Sequence, residues 1–389
     1  MPTALPPGRC ATHRAMIFDR GGTRRKGPLS MLSEVRWSRD RDGVSEASVT
    51  IQGVTACSRQ RKLLREVSAK RHELVIYRGD ERVWEGPIFR ISDEGDEIKL
   101  FAKDVLAYLF GTPLTRVWDN GVKADGVMPV TTRLERIIRH ELTTSRVGRT
   151  LGGGKVTIPA WESLNPPVNL INHLDVRHFP NEAGTAAKTR AFEMTVGEHL
   201  ANYGRSGGLD FTAVGRRILL WDTSRNLGTL RTMTEADIYG NVYVTDYGAD
   251  HTQAAYVLGQ DGVYGEAVNP EYLDLYGPWS TVFNAYNEEG TQAPTVGELN
   301  SQAARNVSGR SPVPVEVRVP DNSTVVLSEK LMISDLVPGV RVPLRATLNA
   351  RALSQDQKLD HVQVIENGRG ESVQITLTPA TRPDSDTED

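Results

Sequence analysis

The stretch "ELVIYRGDERVWEGPIFRISDEGDEIKLFAK", residues 73–103, limits the fold more than any other. It divides into three apolar-rich runs joined by "RGDE" and "DEGD", whose Asp and Gly residues suit tight hairpin turns. In the third run Ile98, Leu100 and Ala102 alternate with Glu97, Lys99 and Lys103, which predicts a strand with one dry and one wet face. The first run, Leu74, Val75, Ile76 and Tyr77, is apolar on both faces and predicts a strand covered from both sides. The middle run holds Gly86-Pro87 beside Trp84. Gly weakens a strand and Pro cannot donate to a ladder, so the pair predicts a bulge or bend. A meander that curls on itself needs such a bend, with Trp84 closing one end of its core.

The surrounding chain repeats this texture. "SEVRWSRD" and "SEASVTIQGV" are short alternating segments before the meander, and "CSRQRKLLREVSAKR" is the one helical interruption. Residues 1–110 therefore read as most of a small β-barrel or curved sandwich, completed by strands near 237–258. Residues 111–236 change character. "TTRLERIIRHELTTS" has Leu134, Ile137, Ile138 and Leu142 on a helical stripe. "TVGEHLANYGR" is a second helix with Gly204 suited to its C-cap, and "GLDFTAVGRRILLWD" reads as a hairpin turning at Val214-Gly215. That region is an inserted α+β domain. Residues 237–379 return to short, regularly spaced strands and read as a second barrel, with an insertion around 265–310 that includes the helix-like "TVGELNSQAARNVSG". Residues 380–389, "ATRPDSDTED", read as a disordered acidic tail. The expected fold class is mainly β with α+β insertions: two barrel domains plus smaller inserted domains.

Composition narrows function by exclusion. The 389 residues suit two to four domains, and 39% hydrophobic content is enough for packed cores. A net charge of -3 gives no bulk attraction for nucleic acid. Cys10 and Cys57 make neither a disulfide framework nor a zinc pair. The N-terminus "MPTALPPGRCATHRAMIF" lacks an apolar signal core, and no run is long enough to span a bilayer, so a soluble protein assembled in the cytoplasm with no membrane partner is expected.

No catalytic constellation survives inspection. His173 and His178 lack the HExxH context and a third ligand. "GGGK", residues 152–155, lacks the spacing and the following Ser/Thr of a phosphate loop. Glu94 and Asp96 sit in a predicted turn, where acids are common. Arg78, Gly79 and Asp80 spell an adhesion tripeptide, but Gly79 is explained by turn geometry. Asn306 and Asn322 match glycosylation sequons without a secretory signal. Trp161, Trp221 and Trp279 suit sugar stacking or a core equally well. The expected catalytic, cofactor and metal residues are none. The structural and interface candidates are Leu74, Val75, Ile76, Tyr77, Trp84, Gly86 and Pro87.

With the "LMISDLVPGVRVPLRATL" and "HVQVIENGRGESVQITLTP" segments and the weaker "LANYGRSGGLDFTAVGRRILLW", the meander resembles the tail hub, or baseplate hub, proteins of tailed bacteriophages. The likeness is strongest to minor tail proteins of long-tailed phages of actinobacteria. It implies a non-enzymatic virion protein made in the host cytoplasm and placed at the tail tip, with two tail-tube-like barrels per chain. It also implies a homotrimer that closes the distal end of the tail tube and lines the channel through which DNA leaves, without binding it specifically. Its partners would be distal tail and tail tube proteins, the tape measure protein, and other tail-tip or fibre proteins. Many such hubs carry a C-terminal wall-degrading domain; here any such activity is expected to sit in another protein. The alternative is a receptor- or glycan-binding minor tail protein at the tail periphery.

Overall fold

The computed structural model describes residues 13–54, 57–118, 129–143, 170–179, 191–206, 208–223, 225–246, 252–259, 262–270, 277–285, 294–308, 315–320, 323–348 and 351–379. The chain opens with β1 (His13–Asp19), β2 (Arg25–Leu29), β3 (Leu32–Asp40) and β4 (Glu46–Ile51), then helix α1 (Ser58–Glu66). The meander follows as β5 (His72–Arg78), β6 (Glu81–Glu94) and β7 (Glu97–Lys103). A mixed module holds α2 (Ala107–Phe110), α3 (Val130–Glu141), β8 (Asp175–His178), α4 (Val196–Ser206), β9 (Leu209–Val214) and β10 (Arg217–Asp222). Next come β11 (Ile238–Tyr239), β12 (Tyr243–Asp246), β13 (Ala254–Leu258), β14 (Tyr264–Val268), β15 (Ser280–Asn284) and α5 (Val296–Ser308). The chain closes with β16 (Val315–Arg318), β17 (Thr324–Val325), β18 (Arg341–Leu348), β19 (Arg351–Asn367) and β20 (Gly370–Pro379).

The protein is mainly β, and one antiparallel sheet of 12 strands dominates it, in the order β12-β16-β20-β19-β3-β4-β7-β6-β5-β1-β2 with β18 also paired to β19. The strand that joins the N-terminal set to the C-terminal set is β19, whose His361–Asn367 pair with Asp40–Glu34 of β3. The strands near 237–258 do not pair directly with the N-terminal strands, although β12 belongs to the same sheet. Instead β11 pairs with β17, β12 with β16, and β13 with β14 and β15. One apolar core runs beneath the sheet, from Ala15, Trp37 and Trp84 to Leu344, Val364 and Leu377.

The sheet curls strongly. Although β1 and β19 are six places apart in strand order, the His13 ring contacts the Glu366 carboxylate at the β19 end. Arg78, ending β5, grips Glu371 on β20 with two bonds of 2.7 and 2.8 Å. At Gly86-Pro87 β6 changes partner, while its register shifts fall at Val83 and Phe89 on either side and not at the pair itself. Residues before it pair with β5, with Gly86 opposite Leu74 and Pro87 opposite Glu73; from Ile88 onward β6 pairs with β7. At that corner the backbone of β7 passes so close that a Cβ on Gly86 would lie 1.9 Å from the Lys103 carbonyl oxygen. Only glycine fits there.

The mixed module has its own core, including Leu106, Leu134, Ile138, Leu200, Phe211 and Leu220, over the three-stranded sheet β8-β10-β9. The predicted hairpin is β9–β10, with Gly215 at φ +58 in its turn. Gly204 does not cap α4, which runs on to Ser206; it lies inside the helix, where its Cβ position is 3.2 Å from the Phe211 ring. A third small unit packs α5 on the sheet β14-β13-β15 through Val257, Leu299, Ala303 and Val307. Helix–strand approach there depends on Gly265, where a Cβ would fall 2.2 Å from the Leu299 backbone.

Candidate functional site

Two buried ionic clusters fasten the mixed module to the large sheet. The first lies on the outer face of the meander. Glu73 on β5 and Glu85 on β6 are both buried, and alternation along β5 puts Glu73 and Val75 on the face opposite Leu74 and Ile76. Arg216, in the β9–β10 turn, reaches across with Nη1 at 2.7 Å from Glu73 and 3.2 Å from Glu85. The Tyr108 hydroxyl donates to Glu73, the Gly21 N–H donates to the same carboxylate at 2.8 Å, and Arg82 pairs with Glu85. Burial pushes the Glu85 carboxyl above its ordinary range, with Arg82 and Arg216 opposing the shift. Burial also works against the Arg216 charge, but Glu73 and Glu85 outweigh it and raise that pKa. Burial and the neighbouring Glu73 push the Tyr108 phenol well up.

The second cluster sits at the other contact of module and sheet. Asp210 on β9 takes Lys358 Nζ of β19 at 3.0 Å and Arg41 Nη1 at 3.1 Å, and the Thr223 hydroxyl donates to it at 2.8 Å. Arg41 also holds Asp360 at 2.6 Å. Asp42 accepts the Phe211 N–H at 2.8 Å, and its own N–H donates back to the Phe211 carbonyl at 2.8 Å. Burial opposes the Asp210 charge, yet Arg41 and Lys358 prevail and lower its pKa. Asp42 is pushed up to about 8, first by burial and then by the Asp210 charge.

A third polar device works inside the sheet's own core. Arg39 of β3 is buried and donates to the carbonyls of Ile333 and Leu336 at 3.0 Å each and of Val83 at 3.1 Å. Burial lowers its pKa to about 10. The arginine therefore acts as a spacer between the 333–336 turn and β6.

The sequence candidates fall as follows. Leu74, Val75 and Ile76 are completely buried within the single chain, Trp84 nearly so, and Tyr77 is half-buried. The doubly apolar strand is thus covered by its own chain: the core lies on one side, and the Arg216 junction lies along the other. Leu74, Val75 and Ile76 therefore offer no exposed surface of their own to a neighbouring copy. Gly86 and Pro87 form the corner of β6. His178 Nε2 lies 3.0 Å from Glu135, and the His173 carbonyl accepts from Arg216, so the two histidines have separate structural roles. No group of three metal-ligating side chains forms among the described residues. Arg78 is committed to Glu371 and Asp80 to Arg14 at 2.9 Å. Trp221 is core, against Gly339, while Trp279 is 63% exposed. Asn306 lies on α5 and donates to the Gln302 carbonyl at 2.9 Å. Cys10, residues 152–155, Trp161, Asn322 and the 380–389 segment lie outside the described residues. Sequence reasoning missed the buried charges altogether. The only signal was Glu73 heading a run of apolar residues, and Glu85 between Trp84 and Gly86.

This architecture recurs in known proteins. The sequence matches no family model, and no curated protein matches it. Three solved structures share the fold along their length. A 43 kDa tail protein of a Shewanella oneidensis prophage aligns over 95% of this chain and 100% of its own, with TM-score 0.59 and 10% identity. A prophage tail protein of Listeria monocytogenes aligns over 95% of each chain, with TM-score 0.60 and 8% identity. A tail protein of Neisseria meningitidis aligns over 96% of this chain and 99% of its own, with TM-score 0.56 and 11% identity. At such identities the likeness is one of fold: the chain has the mainly β architecture of these tail proteins.

Proposed function

We propose that the chain is a structural virion protein of a tailed bacteriophage, and specifically the trimeric tail hub that closes the distal end of the tail tube. The observation that carries this reading is the end-to-end likeness to three tail proteins, 95% of this chain against 100% of the Shewanella protein. In this reading three copies form a ring, join the tube and tape measure protein to tip and fibre proteins, and enclose the channel through which DNA leaves. The phage would be one of actinobacteria. The chain catalyses nothing; its buried carboxylates serve the two ionic junctions. Imaging of intact virions labelled with antibody to the chain tests the placement. Label at the distal tip is expected, and label along the tail shaft or at the head would overturn it.

A second reading has one observation in its favour. Trp279 is 63% exposed on the small β14-β13-β15 unit, and the rings of Tyr256 and Tyr264 stand 6.3 Å apart on the same sheet. Exposed aromatics of this kind suit a glycan-binding tail protein. Saturable affinity for host glycans, abolished by Trp279→Ala, would favour that role over the hub.

A further inference from the structure

Helix α1 covers the edge strand β2, and the surface it turns to solvent is cationic. Its inner side faces the strand: a Cβ on Gly27 of β2 would lie 3.1 Å from the Leu63 methyl, and Gln60 accepts from the N–H and hydroxyl of Ser30 at 3.1 and 2.7 Å. Its outer side presents Arg59, Arg61, Lys62 and Arg65, all exposed, with Arg25 and Lys26 beside them on β2. None of these six has an acidic partner among the described residues. In the adjoining turns Arg24 and Arg71 lie 3.9 and 4.0 Å from the buried Asp19. Segments 20–26 and 57–71 together hold ten Lys and Arg against one acid, Glu66, in a chain whose net charge is -3. The charge is concentrated at one edge.

We propose that this edge is a sequence-independent contact for the phosphate backbone of double-stranded DNA. Protecting a sheet edge does not call for so much charge, because α1 already covers β2 and a single lysine commonly suffices. Contact with another protein would need an apolar or aromatic anchor at its centre, and the face has none, since Leu63 and Leu64 are half-buried against the core. Phosphate contact needs only Arg and Lys in a close array. Helix geometry supplies that array, setting Arg61, Lys62 and Arg65 within about 6 Å of axial rise. A shallow cleft of about 390 Å³, lined by Ser58, Arg61, Lys62, Arg65 and Glu66, gives an anionic group a seat. Without an aromatic to stack on bases, the contact reads charge and not sequence. This assignment rests on the α1 edge itself and not on the tail-hub reading.

The test is fluorescence anisotropy of the full chain with a labelled duplex of arbitrary sequence across a salt series. Neutralising about five phosphates predicts a several-hundred-fold loss of affinity from about 50 to about 200 mM salt. The triple reversal Arg61→Glu, Lys62→Glu, Arg65→Glu should weaken binding more than about tenfold and flatten the salt slope. A matched reversal of exposed cations elsewhere, Arg36→Glu, Lys330→Glu and Arg369→Glu, should leave binding within about twofold. Circular dichroism of both variants confirms that they fold. No binding at low salt, an equal loss in the matched variant, or tighter binding of a polyglutamate peptide than of duplex would each overturn the proposal, the last assigning the edge to an acidic protein.

Discussion

Gly86 shows how much a single hydrogen atom can decide. Any side chain there meets the Lys103 carbonyl, a backbone atom held by the β7 ladder, so the neighbour cannot give way. Gly86→Val should destabilise the chain by on the order of 3 kcal/mol, and Gly86→Ala by nearly as much, because the clash begins at Cβ. Urea unfolding of the two variants checks this; a midpoint unchanged for Gly86→Ala would show that the corner tolerates a side chain. Arg216 makes a second case. Arg216→Ala leaves Glu73 and Glu85 buried beside each other without their shared cation, a loss of about 3 to 5 kcal/mol, offset where one carboxyl takes up a proton. Equilibrium unfolding measures it. Replacing Arg216 by Lys should recover only part, since an ammonium can take the place of Nη1 between the two carboxylates but cannot also keep the bond that Nε donates to the His173 carbonyl.

At the scale of elements, the β9–β10 hairpin is the clamp. Its turn carries Arg216 into the first junction, and its other end carries Asp210 into the second. The second junction makes stability depend on pH. Asp42 titrates at about 8 in the folded protein against an ordinary 3.8, so the fold keeps a proton that the unfolded chain has released. Its contribution is intact below about pH 4 and is lost as pH rises towards 8. Asp104, pushed up to about 7 by burial, acts in the same direction. Thermal midpoints should therefore fall from about pH 7 to about pH 9, above the range in which the lowered pKa values of His72 and His173 act the other way. Asp42→Asn removes the ionisation while its side-chain oxygen can still accept the Phe211 N–H, so it should flatten that fall. A variant with the parent's full pH slope would place the proton elsewhere.

At the scale of the whole molecule, the proposed hub predicts three copies in solution at moderate salt, read by mass photometry. A permanent head-to-tail contact should bury roughly 2,000 Å² or more per interface. The doubly apolar β5 strand is spent inside the chain, so such a contact must use other surface. Purified protein should release no fragments from host peptidoglycan or polysaccharide. Release abolished by one Glu, Asp or His substitution would make the chain an enzyme.

The sequence by itself determined what depends on neighbours along the chain. Alternation over residues 97–103 marks β7, Gly79 and Gly95 at positive φ close the turns of the meander, and Gly86-Pro87 marks the corner of β6. Period-two patterns and turn residues act within a few positions, so they are legible in one dimension. Tertiary structure decided the rest. Nothing near β3 announces that its partner is β19, since either edge of a strand can accept any strand of matching register. Glu73 and Arg216 are 143 positions apart, and Arg39 and Ile333 are 294 apart. A charge in a sequence reads as solvated until the folded chain brings its counter-charge to it, because only the pair can be taken out of water.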